Sequence, residues 1–172
     1  NDAPMYLTEF MHPRAEELVS LLPLGLGRRI SSSESALRRI DKMFNRGRKV
    51  ETAKLSGFLQ LYAVASLRRV RRSLMRHADE MKHVESWLQL ATQTLPQNYG
   101  VACGILSARR LIKGYSDTHA RGQSKFERVL SEVPALIARE DGGKWMERLI
   151  SAALKDENGE ALDGALKTVR EL

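Results

Sequence analysis

The feature that most constrains the fold of this chain is the segment 52–95, which contains no proline and one glycine, Gly57. Apolar side chains and one histidine recur there in alternating steps of three and four residues. This is the spacing of a heptad seam, the stripe along which one helix packs against another. The positions are Leu67, Val70, Leu74, His77, Met81, Val84, Leu88, Ala91 and Leu95. This pattern predicts one helix over about 52–95, roughly 60 Å long at 1.5 Å per residue, packed nearly parallel or antiparallel to its neighbours. Pro96 ends it.

The remainder of the chain has helical spacing interrupted by proline, glycine and asparagine. Breaks are expected at 23–27, at the basic turn 45–49, and at 141–143 and 156–159. The predicted helices are 13–22, 33–44, 98–114, one that begins either at 116–117 or at 124 and kinks at Pro134, then 145–154 and 161–169. No alternating strand pattern of useful length is present. The sequence therefore predicts an all-α helical bundle organised around the long helix.

Composition places the chain among globular proteins. With 172 residues and 42% apolar side chains, it is long enough to bury a core as one domain. Its single cysteine, Cys103, excludes an intrachain disulfide and any all-cysteine metal site, which indicates a reducing, cytoplasmic compartment. No apolar run approaches the roughly 20 residues that cross a bilayer, and nothing resembles a signal peptide.

We expect residues 1–172 to form a single helical accessory domain with three parts. Short helices and loops occupy 1–50, the main bundle 51–140, and a C-terminal helical hairpin 141–172. Because the chain starts at Asn1 and not at methionine, a fragment of a longer protein is expected.

Positive charge is concentrated in one stretch. Residues 28–76 contain fourteen Lys or Arg against three acids, whereas the whole chain carries +7. This surplus suggests an anionic partner, although the more acidic remainder could instead fold back and neutralise it.

Arg68, Arg72 and Arg76 would form one stripe on the long helix, and such a stripe needs carboxylates or phosphates opposite it. Nucleic-acid binding is one interpretation. The scarcity of aromatic residues and of known nucleic-acid motifs favours a contact within the chain or with a partner subunit.

Two Glu-x-x-His pairs, Glu9 with His12 and Glu80 with His83, match the spacing used in di-metal helical bundles. The seam directs Met81 and Val84 inward and leaves His83 outward, and Pro13 disfavours a helix at His12. We therefore expect chance surface pairs and no metal site. A partial dinucleotide motif, Gly25-Leu26-Gly27, lacks its strand and third glycine, so a loop is expected there.

The densest polar cluster lies at 113–122 and predicts an interhelical corner. Its anion-binding or substrate-binding candidates are Lys113, Tyr115, Asp117, Thr118, His119 and Arg121. Backbone N–H groups at the following helix start would assist these side chains. Alternatively, Asp117 caps that helix and pairs with Arg121, which would make the corner purely structural. No nucleophile or catalytic residue stands out.

The same segment carries a family resemblance. The stretches KGYSDTHARG at 113–122, KFER at 125–128, YLTEFMHPR at 6–14 and LRRVRR at 67–72 resemble the C-terminal helical region of indolepyruvate:ferredoxin oxidoreductase beta-like proteins. These enzymes belong to the 2-oxoacid:ferredoxin oxidoreductase family, and the likeness spans most of the chain.

The resemblance implies an accessory domain of an enzyme that decarboxylates arylpyruvates oxidatively. It implies an N-terminal α/β domain in the same protein, a thiamine-diphosphate-binding partner subunit, and thiamine diphosphate, coenzyme A and an iron–sulfur cluster bound elsewhere. This chain has neither the cysteines for a cluster nor a Gly-Asp-Gly motif. We therefore expect it to assemble subunits or cover the active site, without chemistry of its own. The alternative is a basic module that binds nucleic acid or protein, and no membrane partner is expected.

Overall fold

The computed structural model of the chain describes residues 8–11, 14–44, 48–114, 116–155 and 158–171. The chain folds as two compact units, residues 1–83 and 84–172. The boundary lies within a helix and inside the segment 51–140 that the sequence assigned to one bundle. The all-α prediction is confirmed, since helices account for most of the described residues.

The first unit contains helices α1 (Ala15–Ser20), α2 (Leu24–Ser31) and α3 (Glu34–Phe44), which pack on one another. Pro23 precedes the first turn of α2, and the Gly27 amide donates to the Pro23 carbonyl at 2.9 Å. Gly25-Leu26-Gly27 is therefore helical, and the predicted loop is wrong at these residues. An added Cβ on Gly27 would lie 2.8 Å from Met75 Sδ, so the glycine permits a close contact.

Two short strands, β1 (Thr8–Met11) and β2 (Arg48–Glu51), pair antiparallel with Thr8 opposite Glu51. The sequence predicted no strand in either place. Each strand has four residues, too few for an alternating pattern to be distinguished from a loop.

The predicted helix over 52–95 is not continuous. It divides into α4 (Leu55–Ser66), two 3₁₀ turns (Leu67–Arg69 and Arg71–Ser73) and α5 (Met75–Thr94). Leu74, between the turns and α5, is extended with φ −79° and ψ 148° and forms a β-bridge with Pro23. The Met75 amide donates to the Leu22 carbonyl at 2.9 Å.

These long-range hydrogen bonds replace the helical ones that a continuous helix would have made. Continuation would also have stacked Arg68 on Arg71 and Arg72 across neighbouring turns, which disfavours a helix. The expected seam is correspondingly interrupted, since Leu74 and Ala91 are buried while Val70, Met81, Leu88 and Leu95 are exposed.

The second unit contains α6 (Tyr99–Ala108), a 3₁₀ turn (Arg109–Leu111), α7 (Ser116–Leu130), α8 (Val133–Leu136), α9 (Gly142–Lys155) and α10 (Glu160–Arg170). Asn98 caps α6, because its Oδ1 accepts the Val101 amide at 3.1 Å. Helix α7 begins at Ser116, so the alternative start at 124 is wrong. The expected kink at Pro134 is instead a separate short helix with proline in its first turn.

The second unit has an extensive core, whereas the first has a small one. Of the described apolar residues, four are buried in the first unit: Ala15, Val19, Val50 and Leu74. Seventeen are buried in the second, among them Ile105, Leu136, Met146, Leu149 and Leu162, which are completely inaccessible. Helices α9 and α10 pack on each other and contribute buried side chains to this core.

Candidate functional site

Helix α4 carries an apolar face that the described part of the first unit leaves uncovered. The face consists of Leu55, Phe58, Leu59 and Tyr62, which are 74%, 56%, 53% and 58% exposed. Their spacing of three and four places them on one side of the helix. The Phe58 and Tyr62 rings stack with centroids 6.1 Å apart. We call these four residues the α4 face.

The opposite side of α4 is held against β2. Gly57 is buried, and a Cβ added to it would lie 2.1 Å from the Glu51 carbonyl oxygen. Only glycine permits this approach, and the approach turns the α4 face outward. Helix α4 contains no charged residue, so its sequence by itself predicts a predominantly apolar helix. The prediction of one long helix packed on its neighbours gives no reason to expect an exposed face here.

A cavity of about 290 Å³ lies in the same unit, beside the C-terminal end of α4. Its apolar lining consists of Leu21, Val64, Leu67 and Leu74. Its polar lining consists of Arg68, Arg71, Arg76, His77 and Glu80. We call this the arginine-lined cavity. The 3₁₀ turns build it, because they bring Arg68 and Arg71 to the same opening that the first turns of α5 reach.

The predicted stripe of Arg68, Arg72 and Arg76 is thus only partly retained. The cavity is lined by Arg68 and Arg76, but the third arginine is Arg71 and not Arg72. Arg71 replaces Arg72 because the helix is broken here. Residues four apart lie on the same face in a continuous α-helix, but not across 3₁₀ turns.

The arginines differ in their partners. Arg76 Nε donates to Glu80 Oε1 at 2.9 Å, one turn along α5. Among the described residues, Arg68, Arg69, Arg71 and Arg72 form no ion pair and no side-chain hydrogen bond. These four guanidinium groups lie within five residues and are exposed. They form an uncompensated positive patch on the two 3₁₀ turns that directly follow α4.

The corner at 113–122 is described in part. Gly114 has φ +74°, a conformation that favours glycine, and α7 starts two residues later. Lys113, Thr118 and Arg121 are exposed and His119 is half-buried. Tyr115 and the Asp117 side chain lie outside the described residues. The anion-binding role of this corner stays a prediction.

Close packing fixes one side of the corner. Gly122 is buried, and a Cβ there would lie 2.5 Å from the Leu111 carbonyl oxygen. The glycine therefore lets α7 approach the 3₁₀ turn that follows α6, which is a structural role.

A second, open cavity of about 540 Å³ lies between α6 and α9 in the second unit. Gly100 and Gly143 bring the two helices together, since a Cβ on Gly143 would lie 2.8 Å from Gly100 Cα. The cavity lining includes one free thiol, that of Cys103, which is exposed. A hydrogen bond with Cys103 raises the pKa of Tyr99 above its ordinary value. Arg110, Glu140, Lys144 and Glu147 add charges of both signs to the lining.

No three His, Cys, Asp or Glu side chains in the described part of the chain are grouped to hold an ion. His12 and the Glu9 side chain lie outside the described residues, and His83 is half-buried in α5 and not outward as expected. Nor is any helix in the described ranges both long and apolar enough to cross a bilayer.

A comparison with protein families gives one match. The model of a family described as "Family of unknown function (DUF6537)" matches residues 2–132, about three quarters of the chain. No curated protein and no solved structure matches. The matched region covers the α4 face, the arginine-lined cavity and the 113–122 corner, and it ends before α9.

Proposed function

The chain belongs to the DUF6537 family, and we propose that it is a helical accessory domain of an indolepyruvate:ferredoxin oxidoreductase beta-like protein. In this role it supports the oxidative decarboxylation of arylpyruvates and related 2-oxoacids to acyl-CoA by holding the enzyme's parts together. The α4 face is the docking surface. Its partner is the α/β domain of the same protein or the thiamine-diphosphate-binding subunit.

The observation that carries the docking role is the exposure of the α4 face on a unit with a small core. Soluble monomers rarely expose contiguous apolar patches beyond a few hundred Å², and larger patches mark interaction sites. Aromatic side chains such as Phe58 and Tyr62 are the residue types that dominate binding energy at interfaces. A partner that covers them would supply the burial that the first unit lacks.

Charge further defines the partner surface. The two 3₁₀ turns that directly follow α4 carry the guanidinium groups of Arg68, Arg69, Arg71 and Arg72, which have no acidic partner within the described ranges. Two copies of this chain would bring like charges together, which costs free energy at an interface. The complementary surface is apolar at its centre and acidic at its rim.

The oxidoreductase assignment rests on the sequence resemblance at 6–14, 67–72 and 113–128. Within that enzyme the cofactors belong to other parts. An iron–sulfur cluster takes about four cysteine thiolates, and Cys103 provides one. In this proposal, thiamine diphosphate, coenzyme A and the cluster belong to the α/β domain and the partner subunit.

The test uses the assembled enzyme with Phe58→Asp and Tyr62→Asp together on the α4 face. A single hot-spot residue contributes about 2 kcal/mol or more, which is about 30-fold in affinity. Loss of both aromatic contacts and burial of two carboxylates should therefore weaken assembly by more than about 30-fold. Light scattering after size-exclusion chromatography measures assembly, and turnover with indolepyruvate measures activity.

Gln60→Asp is the control, because it places one negative charge on α4 outside the α4 face. It should leave assembly intact. The proposal fails if the double variant assembles normally, or if an enzyme lacking residues 1–172 assembles and turns over as before.

A further inference from the structure

The arginine-lined cavity has a composition that docking through the α4 face does not use. Val64, Leu67 and Leu74 form an apolar wall, and Leu74 is only 6% exposed. The volume of about 290 Å³ lies just below the roughly 300–1,000 Å³ typical of small-molecule sites. The space therefore suits a small ligand with an apolar portion.

The polar lining has an uncompensated positive charge. Arg76 is neutralised by Glu80 at 2.9 Å, whereas Arg68 and Arg71 have no acidic partner among the described residues. A guanidinium group presents donors in a planar fork that matches the two oxygens of a carboxylate or phosphate. Two such groups beside an apolar wall can bind the anionic head of a ligand while the wall contacts its apolar tail.

We infer that the arginine-lined cavity binds a small amphipathic oxyanion, with a carboxylate or phosphate head between Arg68 and Arg71 and a short apolar tail against Leu67 and Leu74. A cation would be repelled by the two guanidinium groups. A neutral apolar molecule would gain nothing from them, and an inorganic anion would leave the apolar wall wet. This site is independent of the proposed assembly role.

Calorimetric titration of the full chain at low salt tests the inference with four probes: hexanoate, hexyl phosphate, acetate and hexanol. Hexanoate should bind more tightly than acetate by about fourfold for each CH₂ that the wall buries. Comparing the affinities of hexyl phosphate and hexanoate shows which head group the cavity prefers. Equal binding of acetate and hexanoate, or of hexanol and hexanoate, would overturn the inference.

Paired arginine variants locate the bound anion. Arg71→Gln should weaken hexanoate binding about tenfold, as loss of a charge-assisted hydrogen bond does. Arg72→Gln removes the same charge one residue away but does not line the cavity. It should bind hexanoate almost as the wild type does. An equal loss in both variants would mean general electrostatic attraction and would refute the site.

Both arginines are exposed, so both variants should fold, and circular dichroism checks this directly. The titration requires no partner protein. Failure of hexanoate binding would therefore refute the cavity assignment and leave the assembly proposal unaffected. Normal assembly of the α4-face variant would refute the assembly proposal and leave the cavity assignment unaffected.

Discussion

At the scale of single residues, glycines decide where elements can approach. Gly104 lies in the middle of α6, where an added Cβ would lie 2.5 Å from Met146 Cβ. That distance is below any ordinary carbon–carbon contact, and Met146 is completely buried, so its backbone would have to move. Gly164, by contrast, lies in α10 with open space around it. The same residue type thus has a packing role in one helix and none in the other.

The two glycines give a matched pair of stability predictions. Gly104→Ala should lower the free energy of unfolding by about 1–3 kcal/mol, the usual cost of overpacking a core. Gly164→Ala should raise it by about 0.5–1 kcal/mol, because alanine loses less backbone entropy in a helix. Urea unfolding, monitored by circular dichroism, measures the free energy of unfolding of both variants. A stabilised Gly104→Ala variant would contradict the close α6–α9 packing.

At the scale of elements, the loop before α9 is organised by one carboxylate. Asp141 accepts hydrogen bonds from Arg139 Nε at 2.8 Å and from Trp145 Nε1 at 2.9 Å. The Arg139 hydrogen bond, followed by that from Trp145, holds the pKa of Asp141 below its ordinary value. The carboxylate thus ties the residue before α9 to the first turn of the helix.

This depressed pKa gives a pH dependence of stability. A carboxyl group with a lower pKa in the folded state than in the unfolded chain stabilises the fold above its unfolded pKa, near 4 for aspartate. The contribution is lost as pH falls through the folded pKa. Between pH 6 and pH 3 the urea midpoint of the wild type should therefore fall more than that of Asp141→Asn.

Glu140→Gln is the control for this comparison. Glu140 is exposed and makes no ion pair within the described ranges. Its variant should follow the wild-type pH dependence. If Asp141→Asn does so as well, the Arg139–Asp141 contact contributes nothing to stability.

The largest difference between the expected and observed elements concerns the long helix. Its apolar spacing correctly predicts helical structure, and α4 and α5 both lie within the predicted range. The spacing did not predict the break at Leu67–Leu74. There the Met75 amide bonds to Leu22, more than fifty residues earlier, and a local period contains no information on such a contact.

At the scale of the whole molecule, charge follows the division into units. Residues 1–83 contain sixteen Lys or Arg and nine acids, and residues 84–172 contain twelve of each. The entire net charge of +7 therefore belongs to the first unit, which also carries the α4 face and the arginine-lined cavity. The second unit is electrically neutral and has the larger core.

This distribution predicts only non-specific attraction to nucleic acid. If four arginines contact phosphates, affinity for duplex DNA should fall about 100-fold between 50 and 200 mM salt. Arg71→Gln and Arg72→Gln should weaken it equally, unlike their effects on hexanoate. Fluorescence anisotropy with duplexes of different sequence measures this. Sequence preference, or binding that resists salt, would favour the nucleic-acid alternative over the accessory role.

The amino-acid sequence by itself determined the all-α class, the helices near α3, α6, α9 and α10, and the cap at Asn98, because periodicity and capping are local properties. Tertiary structure decided the β1–β2 pairing, the break before Leu74 and the choice of Arg71 over Arg72 at the cavity. Each of these depends on hydrogen bonds or packing between residues distant in the chain. Side-chain pairs one helical turn apart contribute only a few tenths of a kcal/mol each, so local spacing does not determine these long-range contacts.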